Sequence, residues 1–420
     1  MKILVLSHDF PSPSFSSTLP VFHLIKYLSS LYDHEITLVS FVAENAENNY
    51  SSIVKDFCSV ETPIPVNQYK SIYAKAFHAL KNMLDVRNLS SKFRGGLYIN
   101  LLDYYYSHQM EQKIRNILER ERFDILYLTR PMANYAQSIG IPKIIQPYDA
   151  VYEWHRQIYL RSKGAEKLIY GISYMMTKIY ERGIYKKFDA CLVVTQQDKD
   201  LLTSLCPQIN CLVLPNGVDT EYFSPTDVRE EFPSLVFVSD MSGRPTIDNV
   251  LYFYNIIYPL IRKEVPQVKL YLVGRNPAKE IAKLASDQSV IVTGYVDSVK
   301  PYLAKSSIFI APMILGTGIK NKVLEAMAMG KCVVTTSIGA QGINATSGED
   351  IVIADDPKEF AAWVIKLLKD SQLRKTLGDN ARKVIEAKYT WKRIAGSLDQ
   401  IFREVVSRHE EMYASPLIDD

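Results

Sequence analysis

Gly316-Thr317-Gly318-Ile319-Lys320-Asn321-Lys322-Val323-Leu324-Glu325-Ala326-Met327-Ala328-Met329-Gly330 lies between two short apolar runs, Ile308–Ala311 and Cys332–Thr335. Strand, glycine loop, helix, strand is a βαβ unit, and such units build a parallel sheet. The two glycines let backbone come close to a ligand, and the helix behind them directs free N–H groups and a positive dipole end outward. At helical spacing Asn321, Lys322 and Glu325 share one face, while Val323, Leu324, Met327 and Ala328 form the buried one. A phosphate seat with a cation beside it and a carboxylate one turn on suits a nucleoside diphosphate. The cation offsets phosphate charge and the carboxylate accepts from ribose hydroxyls.

The chain of 420 residues suits two domains rather than one core. Apolar residues make up 47% and charged residues 23%, a globular balance. A formal charge of +3 gives no case for nucleic acid as a partner. No apolar run is long enough to span a bilayer, and Lys2–Leu6 reads as a first strand rather than a signal segment. Cys58, Cys191, Cys206, Cys211 and Cys332 are odd in number and form no Cys-x-x-Cys pair. A reduced cytoplasm is the expected compartment, with no metal site.

Working outward, two βα arrays appear. Predicted strands of the first are Ile3–Leu6, Glu35–Phe41, Asp124–Leu128, Lys143–Gln146, Ala190–Thr195 and Cys211–Leu214. Those of the second are Leu235–Val238, Lys269–Val273, Val290–Thr293, Ile308–Ala311, Cys332–Thr335 and Ile351–Ile353, with helices near Asp248–Ile261 and Lys320–Met329 among those between them. Continuous apolar strands alternating with helices argue doubly wound parallel sheets. Asn216-Gly217-Val218-Asp219 is turn chemistry and marks the crossing between domains.

Ligands of an open α/β sheet sit at the carboxyl ends of its strands. Arg244 follows Leu235–Val238, Arg275 follows Lys269–Val273 through Gly274, and Lys320 and Lys322 follow Ile308–Ala311. Three strand ends therefore aim cations at one edge, as a pyrophosphate requires. Each cation alone is also readable as a solvated loop base, and Glu325 as an i,i+3 partner of Lys322. The set together favours a donor site. In the first half Asp149, after Lys143–Gln146, reads equally as an acid/base or sugar contact and as a turn or helix cap. Arg130, at another strand end, is placed to meet either ligand and joins Asp149 as a catalytic candidate. His23 and His155 lie in helical patterns and read as packing residues.

The glycine loop and its helix resemble the donor signature of retaining glycosyltransferases of family 4, in the branch with a Gly-x-Gly-x-Lys-Asn-Lys-x-Leu-Glu motif. The resemblance takes in Val273–Pro277, Gly294-Tyr295-Val296, Thr335–Gly342 and Tyr389-Thr390-Trp391, and spans roughly residues 185–395 well. It implies the GT-B fold, two Rossmann-like domains facing across a cleft. Residues 1–218, completed by a helix at about 395–415, would bind the acceptor; residues 219–394 would bind the nucleotide sugar. It further implies a UDP- or GDP-linked donor, retention, no metal and no separate cofactor, with Gly316, Thr317, Gly318, Asn321 and Val296 joining the cations and Glu325 in the donor site. The family's usual first glutamate is Thr317 here, and its paired glycines in the first domain are Ser16-Ser17. A nucleotide-sugar epimerase and a non-catalytic partner of another transferase remain alternatives, separated by product without acceptor and by binding without turnover.

Two basic, aromatic-bearing stretches, 69–108 and 151–188, suit an anionic membrane surface or the outer face of a helical bundle. The first reading places the protein at the inner face of the plasma membrane, beside a lipid-linked or polysaccharide acceptor.

Overall fold

A computed structural model describes residues 1–13, 18–42, 54–65 and 107–414. Ser16-Ser17, nearly all of the 69–108 stretch and the acidic C-terminus lie outside the described residues. The chain divides into two compact units, Met1–Leu214 with Trp391 onward, and Pro215–Thr390.

In the first unit a parallel sheet runs β3-β2-β1-β5-β6-β7-β8. Its strands are β1 (Lys2–Ser7), β2 (Glu35–Val42), β3 (Ser59–Val60), β4 (Ile64–Pro65), β5 (Ile125–Thr129), β6 (Lys143–Tyr148), β7 (Ala190–Val193) and β8 (Cys211–Val213). The two-residue strands β3 and β4, both paired with β2, were not foreseen, being too short for a periodic signal. Alternate residues of β1 feed opposite cores. Ile3 and Val5 pack with the helices Leu19–Tyr32 and Trp391–Ala414, while Leu4 and Leu6 pack with His108–Arg120. A sheet covered on both faces explains why its strands read as unbroken apolar runs.

The second sheet runs β11-β10-β9-β12-β13-β14, all parallel. Its strands are β9 (Ser234–Val238), β10 (Lys269–Val273), β11 (Val290–Val292), β12 (Ile308–Ala311), β13 (Val333–Thr335) and β14 (Val352–Ile353). In order of appearance this is 3-2-1-4-5-6, the doubly wound dinucleotide order. The single helix expected near Asp248–Ile261 is broken. Arg244–Tyr252 gives way to a π turn at Phe253–Ile257 before Tyr258–Glu264. Pro259 has no N–H and its ring crowds the carbonyl four residues back, so the ladder widens and Tyr258 donates to the Phe253 carbonyl instead.

The unit boundaries fall four residues from those read in the sequence, at Leu214 and Thr390 rather than 218 and 394. Val218 bridges to Thr390, so the linker runs with the second unit. Trp391 is buried and stacks on His23 with ring centroids 5.0 Å apart, which starts the last helix in the first unit.

Two expectations follow. Gly274 has φ +150°, and a Cβ there would lie 1.7 Å from the Ser239 carbonyl oxygen. Gly274→Ala should lower stability by about 1–3 kcal/mol, read by denaturant unfolding. His155 is fully buried, and burial first, then the Arg130 charge, moves its imidazole from 6.5 down to about 3. Its stabilising contribution is therefore present above the unfolded value and is lost as pH falls from about 6.5 towards 3. His155→Phe, which cannot take up that proton when unfolded, should gain on the parent in melting temperature as pH is lowered through that window; a constant difference would disprove this.

Candidate donor site

The order of the second sheet fixes where a ligand can sit. The order in which strands are added reverses between β9 and β12, which run parallel, so the loops leaving those two strands part and open a crevice at their carboxyl ends. The loop after β9 ends in Gly243, the N-cap of the helix that Arg244 begins. The loop after β12 is Pro312–Lys320, and the helix Asn321–Ala328 follows. Arg275 leaves β10 and half-buried Val296 follows β11, so the predicted donor residues line up along the carboxyl edge of four adjacent strands.

Gly316 at φ +147° and Gly318 at φ +67° hold a loop geometry that side chains resist. A Cβ on Gly316 would meet the Lys320 side chain at 3.1 Å. Lys320 folds back over the glycines, and its ammonium donates to the carbonyls of Thr317 and Gly318, each at 2.7 Å. Beneath the loop Asn249 is 2% exposed. Its Oδ1 accepts from the N–H of Ile314 at 2.8 Å and of Leu315 at 3.2 Å, and its Nδ2 donates to the Leu315 carbonyl at 3.3 Å. Thr336 Oγ1 donates to the Met313 carbonyl at 2.7 Å. The loop is thus held from below by side chains of two other elements.

Glu325 is 4% exposed, and both of its oxygens accept from Lys322 Nζ, at 2.7 and 2.8 Å. Burial raises the carboxyl pKa above its ordinary value while Lys322 pulls the other way. Lys322 stands in the first turn of its helix, where the dipole disfavours a cation. Lys320 is the N-cap of the same helix, so two ammonium groups and the free N–H groups build positive potential at one point. Asn321 Oδ1 accepts from Asn216 Nδ2 at 3.0 Å, which ties the linker to the helix start.

Two of the cations at this edge are paired in the structure. Arg244 Nε donates to Asp248 Oδ2 at 2.7 Å, and Arg275 Nε to Asp240 Oδ2 at 2.8 Å. Asp240 also accepts from the Ser242 N–H and hydroxyl, closing the turn after β9. Each arginine therefore carries its own carboxylate, and those partners come from turn and helix spacings that a search for cations passes over. Asn249 and Asn216 were likewise missed, since a lone Asn in a helix or a turn reads as local chemistry.

In the first unit His8, Arg130 and Asp149 stand at the carboxyl ends of β1, β5 and β6, neighbours in the sheet. The His8 N–H donates to Thr129 Oγ1 at 3.2 Å. Arg130 is 5% exposed and lies 3.9 Å from the carboxylate of Glu181, itself fully buried. Glu181 accepts from the N–H groups of Val151 and Tyr152 at 3.1 and 3.3 Å. Arg130 thus lies beside the acid whose carboxylate accepts from the first N–H groups of the helix Val151–Arg161. Ala150 is the N-cap residue of that helix, and Asp149 is half-buried at the strand end.

Two family models match the chain, "Glycosyltransferase Family 4" over residues 21–222 and "Glycosyl transferases group 1" over residues 232–370. Each model falls largely within one of the two units. The protein is a glycosyltransferase of the GT-B type. An uncharacterised 44.6 kDa protein of the cps region of Klebsiella pneumoniae is 24% identical, the match covering 96% of this chain and 99% of that one. The capsular polysaccharide biosynthesis glycosyltransferase CapM of Staphylococcus aureus is 23% identical over 60% of this chain and 70% of its own. Anabaena HepE, solved in complex with UDP, superposes with a TM-score of 0.63 at 13% identity, covering 96% of this transferase and all of that chain.

Replacing Asn249 by Leu strips the buried Ile314 and Leu315 N–H groups of their acceptor. The transferase should lose about 1–3 kcal/mol of stability. Hydrogen exchange at residues 313–318 should rise more than at β12, and equal rises would show that Asn249 does not hold the loop.

Proposed function

We propose that this glycosyltransferase takes a sugar from a UDP- or GDP-linked donor bound at Gly316–Glu325 and passes it, with retention and without a metal, to a growing polysaccharide or lipid-linked acceptor. The observation that carries the proposal is the bidentate Lys322–Glu325 pair at a helix N-terminus on the switch point of the sheet. A buried carboxylate with one cation, on the edge where a ligand must sit, is equipped to accept from two ribose hydroxyls. Lys322, Lys320 and the N–H groups then face the diphosphate.

Chemistry follows from charge. As the glycosidic bond to the donor phosphate breaks, negative charge grows on the leaving diphosphate, and the fixed positive groups stabilise it where it forms. Departure and attack on one face of the sugar give retention. Arg244 and Arg275 can exchange their aspartates for phosphate oxygens, since both pairs lie at the open strand edge. The likeness to CapM supports a polysaccharide acceptor, and the UDP held by HepE supports a uridine donor. Asp149 is the first-unit residue proposed to meet the sugar or the acceptor's proton.

Calorimetry with UDP and GDP tests the site. One nucleotide should bind, and Lys322→Ala and Glu325→Ala should each weaken it about tenfold to a hundredfold, with melting temperatures recorded to separate misfolding from lost contacts. Affinity should also fall on acidification, as Glu325 takes up a proton and loses its role as a double acceptor. Binding of neither nucleotide by folded protein would end this reading. Binding with no release of the nucleotide from any of its sugars, across several acceptors, would favour a non-catalytic partner instead.

A further inference from the structure

The helix Gly164–Ile184 is amphipathic in the wrong sense for a helix facing water. Turned inward are Tyr170, Ser173, Thr177, Glu181 and Ile184, all buried. Turned outward are Leu168 at 60% exposure, Ile172 at 44%, Met175 at 54%, Met176 at 41% and Ile179 at 67%. Their spacing of three and four residues makes one continuous stripe, and Leu160 of the preceding helix is exposed as well, at 56%. A contiguous apolar face of this kind marks an interaction surface rather than scattered exposure.

Its borders carry charge of one sign. Lys167 lies 5.4 Å from the Tyr159 ring and Lys178 lies 5.5 Å from the Tyr174 ring, and the two tyrosine rings stack on each other. Lysine and tyrosine thus alternate along one flank of the stripe. Arg182 and Lys186 are exposed beyond its far end, and Arg161 and Lys163 at its near end. The acids of this helix lie elsewhere: Glu181 is on the buried face, and Glu166 is half-buried away from the stripe.

We propose that this face docks the transferase on an anionic lipid bilayer, with the stripe in the acyl boundary and the bordering cations among phosphate headgroups. Tyrosines and snorkelling lysines at the rim are the side chains that suit such a boundary. No helix among the described residues is long and apolar enough to cross a membrane, so the helix lies on the surface. A second copy fits less well, because a two-fold contact through the stripe sets the same basic borders against each other. The proposal needs no assumption about donor or acceptor.

Flotation of the full chain with vesicles tests it, using phosphatidylcholine alone and phosphatidylcholine mixed with phosphatidylglycerol. The protein should float with the mixed vesicles, much less with the neutral ones, and progressively less as salt rises. Ile172→Glu with Ile179→Glu should lower partitioning at least tenfold. Lys167→Gln, Lys178→Gln and Arg182→Gln together should lower it about a hundredfold at low salt, at about fivefold for each charge. All of these positions border water, so unchanged melting temperatures and unchanged nucleotide binding are the controls. Failure to float from folded parent protein overturns the proposal. So does a lipid-independent dimer that the Ile172/Ile179 variant abolishes, which would assign the face to a second copy.

Discussion

A carboxylate buried on an otherwise apolar helix face is costly, and that cost organises the candidate site of the second unit. Glu325 sits among Val323, Leu324, Ala326, Met327 and Ala328, all buried. Lys322 answers it through both oxygens, and because Lys322 is in the first turn, the answering cation is held at the positive end of the helix. Each charge is badly placed alone, one by burial and the other by the dipole. Together they are tolerable, and they leave an acceptor and a donor of hydrogen bonds side by side at the strand edge. A purely structural i,i+3 pair is worth a few tenths of a kcal/mol and needs no burial of the acid. The burial is what the proposed binding role would explain.

Holding that pair in place requires a rigid frame, and the frame is polar where the loop is not repetitive structure. A loop at the end of a buried strand cannot leave N–H groups unpaired. Asn249 supplies the acceptor for two of them, Thr336 binds a carbonyl, and Asn216 holds Asn321. Lys320, at the crest, satisfies two loop carbonyls with the same ammonium that could reach a phosphate.

The two sheets were legible because strands buried on both faces write unbroken apolar runs, as in Ile308–Ala311 and Leu235–Val238. Glu325 and Lys322 were legible because helical spacing alone puts them together. Other features had no sequence-level signal. The Asp240–Arg275 pair joins the ends of two strands that are distant in sequence, and its meaning depends on a strand order that periodicity does not contain. The strand-end position of Arg130 was readable, but for the same reason its neighbour Glu181, far along the chain, was not. The π turn at Phe253 shows the opposite failure, where Pro259 was in plain view and the helix pattern ran straight over it.

The two charged regions of the molecule follow one physical rule with opposite outcomes. At Glu325 a charge goes inside and an apolar helix face closes over it; at Gly164–Ile184 polar groups go inside and the apolar face is left out. Inside that second helix, Glu181 binds the N–H groups of the neighbouring helix and meets Arg130, so its burial is fully accounted for by partners within the unit. Among the described residues no partner of that kind accounts for the outward stripe. Internal packing explains why the helix turns its polar side in, and the same rotation then obliges Leu168, Ile172 and Ile179 to face out. A sequence can carry that arrangement at little cost where something apolar meets the exposed side, and the lysines at its border suit the anionic bilayer proposed for it.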